Sequence, residues 1–404
     1  MKLTRDHVRT ALLHAQGLID APAAEVTKDD IVAAIRRMHL LQIDTISVVN
    51  RSPYLVLHSR LGAYPTKWLT DLLAERHVFE YWSHAACFLP GEDYRYYRPF
   101  MIERRAPTSR SSLHAARYIP QKTLDHVRNH VREKGATRSA DFERSDGKKG
   151  TWWDWKEEKL ALEYLFDIGE LMVSKREGFQ RVYDLQERVR PWDDQHTPHR
   201  DESFRAWIEQ TALALGVAPA AWFADYFRLK KATATVALQS LLADGTLVEI
   251  AVMGESVPYY AHKSAKKTLK AISDGAIMPT RTVLLSPFDP VAWHRERLLA
   301  MFGMDYKIEV YTPGPKRKYG YFTLPILHEG RMVGRLDPKA HRTEKRFEVR
   351  AIHLEPDVVV DEKLVHGLAR TIRDFAEWHG TPQVSVGTTD PASLGDALRS
   401  TGIL

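Results

Sequence analysis

Two stretches of this chain repeat one another: LEYLFDIGELMV (Leu162–Val173) and LQSLLADGTLVE (Leu238–Glu249). Leu162, Leu165, Gly169 and Leu171 coincide with Leu238, Leu241, Gly245 and Leu247, and Tyr183 with Tyr259 at the same offset. Apolar residues three apart put one face of a helix on a core. A glycine ends such a helix because the closing residue is commonly left-handed. The alternating residues beyond it suit a hairpin. Helix, glycine and hairpin make the second half of a winged helix. Further helical stretches lie upstream, from Lys122 to Phe142 and from Ser203 to Arg228. Trp68–Leu89 is a looser third copy without the glycine. Leu-rich helix–hairpin units can recur by accident, but the shared tyrosine and the upstream helices favour true repeats.

Such modules usually place a helix in a DNA groove and the hairpin on the backbone, although some bind proteins instead. An α+β chain is expected: three tandem winged-helix (helix-turn-helix) units followed by a small C-terminal β-barrel-like domain. The expected boundaries are 1–115, 116–195, 196–275 and 276–404. At 404 residues the chain has ample length for these cores. The first unit should contain a helix through Ile31, Ala34, Ile35, Met38 and Leu41, opened by the capping pair Thr27 and Asp30. Ser52-Pro53 should open a helix closed by Gly62, and Pro65-Thr66 another carrying Trp68, Leu69, Leu72 and Leu73. PWDDQHTPHR, ending at Arg200, reads as a polar linker.

From about Arg281 the texture changes. Strands are expected at Tyr306–Tyr311, Tyr319–Leu327, Arg331–Asp337 and Arg346–Leu354, with a Glu329-Gly330 turn joining the middle two. Leu364, Leu368, Ile372 and Phe375 share one face of a closing helix, and Gln383–Val386 adds a strand.

Cys87 is the only cysteine, which excludes intrachain disulfides and sites built on several thiolates. No histidine spacing suggests a metal site, and no GxxxxGK[ST] loop is present. No cofactor is therefore expected. With the charged start MKLTRDHVRT and no long apolar run, a cytoplasmic chain away from membranes is expected. A net charge of +6 is mildly basic. The basic residues cluster in Arg104–Arg144 and at Lys316-Arg317-Lys318 beside Tyr319 and Tyr321. Phosphate contacts and base stacking would use such residues; a solvated surface would too.

Leu40–Ile46 carries the most chemistry. In an extended backbone Gln42 and Asp44 project to one face, while Leu41, Ile43 and Thr45 face the other way. An amide beside a carboxylate can hold and activate water. From the residues alone, a carboxylate after an apolar helix is more often a cap or turn partner than a catalyst. Arg51 nearby could pair with it or contact phosphate. Asp289 reads as the cap of a helix over Val291–Leu299, and Asp337, before Pro338, as a turn residue. Lys339, His341 and Arg342 extend the basic surface. His84 and Cys87 invite a nucleophile reading, but no oxyanion loop accompanies them, and Cys87 reads as a small buried hydrophobe.

LLQIDTISVVNRSPYLVLHSRLGAYP, EYWSHAACFLP, LLSPFDPVAWHRER, YTPGPKRKYGYFTLPILH and GRLDPKAHR together resemble the YcaQ/AlkZ family of bacterial winged-helix DNA glycosylases. The resemblance spans essentially the whole chain. It implies a concave DNA-binding surface built from three winged helices and a C-terminal barrel. The family carries a catalytic Gln-x-Gln or Gln-x-Asp, and Gln42-Ile43-Asp44 fits the second, YcaQ-like form. It implies removal of alkylated bases and unhooking of interstrand crosslinks; with cationic N7-alkylguanine as the substrate and no lysine singled out as a Schiff-base nucleophile, a monofunctional enzyme that leaves abasic sites is expected. Asp44 and Gln42 are then the catalytic candidates. Arg51, Lys316, Arg317, Lys318, Tyr319, Lys339 and Arg342 are the DNA-binding candidates. The expected partner is damaged double-stranded DNA, bound by a monomer without metal. The rival expectation is a non-catalytic winged-helix transcriptional regulator, which gives no reason for the Gln42–Asp44 pair. A protein-interaction scaffold is a third, and it would show little salt-dependent DNA affinity.

Overall fold

The structure is a computed structural model and describes residues 2–142 and 157–404. Arg144, at the end of the basic stretch, lies outside the described residues. The chain forms two compact units, each discontinuous in sequence. One comprises Met1–Pro65, Ser83–Ala86 and Trp207–Leu404; the other comprises Thr66–Trp82 and Cys87–Ala206.

In the second unit, the Glu157–Asp167 helix buries Ala161, Leu162, Leu165 and Phe166. Gly169 follows in the left-handed region at φ 66°. Strands Leu171–Glu177 and Gln180–Leu185 then pair antiparallel. Upstream, the Gln121–Lys134 helix buries Leu124, Val127 and Val131. Tyr183, the shared tyrosine, pairs through its backbone with Thr137. Glu80, fully buried, is held by Arg176 at 2.8 Å and Arg181 at 2.5 Å. Two guanidinium groups on one carboxylate compensate its lost hydration. Cys87 is buried, as a small hydrophobe would be.

In the first unit the same helix–glycine–hairpin order recurs: Lys231–Ala243, Gly245 at φ 74°, then strands Leu247–Val252 and Tyr259–His262. Here the hairpin gains neighbours. Ala218–Pro219 pairs with the Tyr259 strand, and Lys2–Leu3 runs parallel to Ala251–Val252. Both repeats thus form the elements that their shared pattern dictates.

The C-terminal sheet holds five strands in spatial order Thr282–Leu284, Leu324–His328, Arg331–His341, Arg346–Leu354 and Gln383–Asp390. Glu329 and Gly330 have φ of 43° and 79°, the pair a two-residue hairpin needs. The last strand pairs parallel with its neighbour, so the sheet is not a simple meander. It keeps two end strands among the described residues, where a closed barrel would have none. The Glu362–His379 helix lays Leu364, Leu368, Ile372 and Phe375 on this sheet. Each buried side chain of this kind contributes about 1.5–3 kcal/mol.

Three expectations in this region are corrected. Tyr306–Tyr311 forms no strand. Its alternation buries Tyr306 and packs Ile308 and Val310 against apolar cores, but no ladder partner lies beside it. Asp337 is not in a turn. It lies within a strand, and a register shift between Asp337 and Pro338 accommodates the proline that cannot donate to the ladder. Asp289 does not cap an α-helix either. The helix begins only at Arg295, with His294 as its cap.

Candidate active site

The helix Lys28–Met38 opens with the expected capping box, Thr27 with Asp30, and buries Ile31, Val32, Ala34, Ile35 and Met38. His39, left-handed at φ 60°, ends it. The chain leaves along Leu41–Gln42, and the Ile43 N–H donates to the Ala86 carbonyl at 2.7 Å. Leu41 and Ile43 are buried, whereas Gln42 and Asp44 are only partly so. The alternation stops there, and Thr45 is exposed, against expectation. The reason is local: Asp44 Oδ1 accepts the Ile46 N–H at 2.8 Å, which turns the chain. Burial raises the Asp44 carboxyl above its ordinary value, and the Ile46 N–H opposes that rise. No hydrogen bond reaches Oδ2 from the described residues.

Beyond the turn, the backbone is pinned. The Val49 carbonyl accepts from Arg342 at 2.6 Å and from His379 at 2.5 Å. Arg51 and Pro53 then set up the Ser52–Leu61 helix, and Gly62 closes it. Buried Ser52 meets Ser286 through their hydroxyls at 2.8 Å. Arg60, on the same helix, forms a two-pronged ion pair with Asp289 at 2.6 and 3.1 Å. Asp289 Oδ1 also accepts the Val291 N–H at 2.9 Å. The Ser286–Val291 turn is therefore held from one side by a buried pair and from within by its own carboxylate.

That turn forms a wall of a cavity of about 230 Å³ that Gln42 lines. His84, Arg228, Trp293, Arg295 and Tyr306 contribute to its other walls. Asp44 is not among the lining residues. His84 stacks on Trp293, with ring centroids 4.0 Å apart and an interplanar angle of 24°. Its Nε2 lies 2.9 Å from an Arg228 nitrogen and its Nδ1 lies 3.1 Å from the Tyr226 carbonyl. A guanidinium only donates, so Nε2 accepts and Nδ1 carries the proton. Burial first, and Arg228 second, lower the His84 pKa to about 4. The imidazole is thus neutral near pH 7. Arg228 stands at a φ of 54° and also reaches Asp225 at 2.5 Å.

The basic candidates are used unevenly. Arg342 already holds the Val49 carbonyl. Arg317 donates to the Thr312 carbonyl at 2.9 Å and lies over Tyr321. Tyr319 already carries Lys318 at 4.7 Å and Arg335 at 4.0 Å from its ring centroid. Lys316 is exposed and Lys339 half-buried on its strand. In the other unit, Arg105, Arg128 and Arg138 of the basic stretch bond to carbonyls or carboxylates. Arg228, Trp293 and Arg295 are cavity residues outside the candidates that the sequence offers. The last two stand in the quoted LLSPFDPVAWHRER segment, but nothing local marks Arg228.

Among the described residues no group of three or more histidine, cysteine or acidic side chains could hold a metal ion. No described helix is long and apolar enough to cross a membrane.

Two comparisons bear on this arrangement. The family model described as DNA glycosylase AlkZ-like matches residues 35–378, which include Gln42, Asp44, His84, Arg228 and Trp293. Among solved structures, the Streptomyces sahachiroi DNA glycosylase AlkZ superposes with a TM-score of 0.63. At 17% identity, 96% of this chain and 100% of that one are covered. The structural likeness establishes the shared fold.

Proposed function

The chain belongs to the AlkZ-like DNA glycosylase family, and from that premise we propose that Asp44 and Gln42 hydrolyse the N-glycosidic bond of cationic N7-alkylguanine in duplex DNA. The observation that carries this reading is the state of Asp44. Its carboxylate is part-buried, more basic than usual, fixed through one oxygen by the Ile46 N–H and open at the other. An N7-alkylated guanine is a positively charged leaving group and requires little acid help. As the bond to the base breaks, positive charge develops on the sugar. A nearby carboxylate stabilises that charge and takes a proton from the attacking water. Gln42 positions the water by hydrogen bonding. The reaction is direct hydrolysis by the activated water, with no covalent intermediate on the enzyme, and it leaves an abasic site.

The reading extends to interstrand crosslinks. A crosslinked base is tethered to the opposite strand and cannot swing into a closed pocket as in base-flipping enzymes. A carboxylate outside the cavity suits a lesion approached within the duplex. The test is excision of 7-methylguanine and of nitrogen-mustard crosslinks by wild type and Asp44→Asn. The variant should lose both activities by about 10²–10⁴-fold, the usual worth of a positioned base. Near-normal excision by the variant would remove Asp44 from the mechanism.

A further inference from the structure

We propose that the cavity beside Gln42 seats a phosphodiester of the DNA backbone, gripped by Arg295 and Arg228, and that it is not the pocket for the damaged base. The proposal rests on the glycosylase reading only for the identity of the lesion.

The charge of the cavity decides its occupant. Its lining contains two guanidinium groups and no carboxylate. Arg228 is partly neutralised by Asp225, which lies behind it and does not line the cavity. Arg295 is exposed and has no hydrogen bond or ion pair among the described residues. His84 is uncharged and has no donor to spare, because its one N–H faces the Tyr226 carbonyl. The cavity is therefore net positive. A guanine carrying an N7 alkyl group is itself a cation, and placing it here sets like charges together in a partly desolvated space. A phosphodiester reverses the sign of that interaction and matches the fork geometry of arginine.

Further features show that the seat is built. Arg228 is clamped by the Asp225 carboxylate and by His84 Nε2, and His84 is fixed by Trp293 and Tyr226. The chain of contacts aims one guanidinium and leaves some of its N–H groups uncommitted. The Trp293 ring, stacked on His84, contributes to the same wall. His84 thus acts through Arg228 as a positioning residue. The phosphate in question is one close to the lesion, because Gln42 lines the same cavity.

The experiment uses the full chain and duplexes carrying a non-hydrolysable 2′-fluoro analogue of the 7-methylguanine nucleotide. Affinity is read by fluorescence anisotropy, so turnover does not enter. A neutral methylphosphonate is walked through the backbone around the lesion. Wild type should lose affinity about tenfold at one position near the lesion, as a charged contact there implies. Arg228→Gln with Arg295→Gln should lose a similar amount on native DNA and nothing more from that methylphosphonate. Its slope of log K against log salt should fall by about 1.

Arg295→Gln alone guards against misfolding, since Arg295 is exposed and unbonded. It should keep the wild-type melting temperature and show part of the same coupling. A folded variant whose methylphosphonate losses equal those of wild type at every position would overturn the proposal. So would a variant that binds cationic-lesion DNA more tightly but undamaged DNA unchanged, which would make the cavity a base pocket. Excision by Asp44→Asn decides the glycosylase reading separately, because this coupling does not depend on it.

Discussion

At the scale of single residues, protonation separates the roles of Asp44 and His84. Asp44 is held above its ordinary carboxyl value by burial. A general base must be ionised, so single-turnover excision should rise with pH through an inflection above about 3.9, the unperturbed aspartate value. A rate–pH profile measures it, and a rate flat down to that value would count against a base at this position. His84 behaves in the opposite sense to a partnered surface histidine. Its folded value of about 4 lies below the unfolded value near 6.5. Between those values the unfolded chain binds the extra proton, so stability is fully present above about pH 6.5 and is lost as pH falls toward 4. His84→Asn should remove roughly 2–3 kcal/mol of that acid-side loss, seen as a shallower fall of unfolding free energy in urea titrations from pH 7 to 4.5. Burial also lowers His58, to about 3, so part of the acid loss should persist in the variant.

At the scale of elements, the repeats offer a comparison within one chain. Gly169 and Gly245 occupy equivalent left-handed positions, but their surroundings differ. A Cβ on Gly169 would come within 2.7–2.8 Å of Met101 and Arg98, whereas Gly245 has nothing within 4 Å. Gly245→Ala should cost only the conformational penalty of about 1–2 kcal/mol. Gly169→Ala should cost visibly more, as a lower denaturation midpoint, because packed atoms must also move. The Ser286–Val291 turn gives a second expectation. Asp289→Ala leaves Arg60 charged and buried, so it should destabilise the protein by about 3–5 kcal/mol, with Arg60→Met added to it restoring part of the loss.

These elements also show how far local pattern reaches. The capping box at Thr27–Asp30, the glycine stops and the Glu329-Gly330 turn were legible because each is chemistry between near neighbours. Tyr306–Tyr311 misled because alternation reports burial, while a strand also needs a partner edge. In its place the Glu309 carboxylate accepts the backbone N–H groups of Lys318, Tyr319 and Gly320, which folds the chain into a loop. Asp337-Pro338 misled because a proline that breaks a ladder can be absorbed by a bulge as well as by a turn.

At the scale of the whole molecule, the site is assembled from distant parts of the sequence. Gln42, His84, Arg228 and Trp293 meet at one cavity, and no spacing records that meeting. The Gln42–Asp44 pair was visible in the chain, but its setting was not. Net charge also says less than its sign suggests. Many arginines behind the +6 formal charge are committed to carboxylates and carbonyls, among them Arg60, Arg128, Arg176 and Arg342. DNA affinity should therefore fall with salt at a slope set by a few phosphate contacts, far fewer than the 58 lysines and arginines. The most direct measurement of the central claim is excision by wild type and Asp44→Asn on 7-methylguanine duplex and on a nitrogen-mustard crosslink. Loss of both activities, by about 10²–10⁴-fold with lesion binding retained, is the expected result. Near-normal excision by a folded Asp44→Asn protein would contradict it.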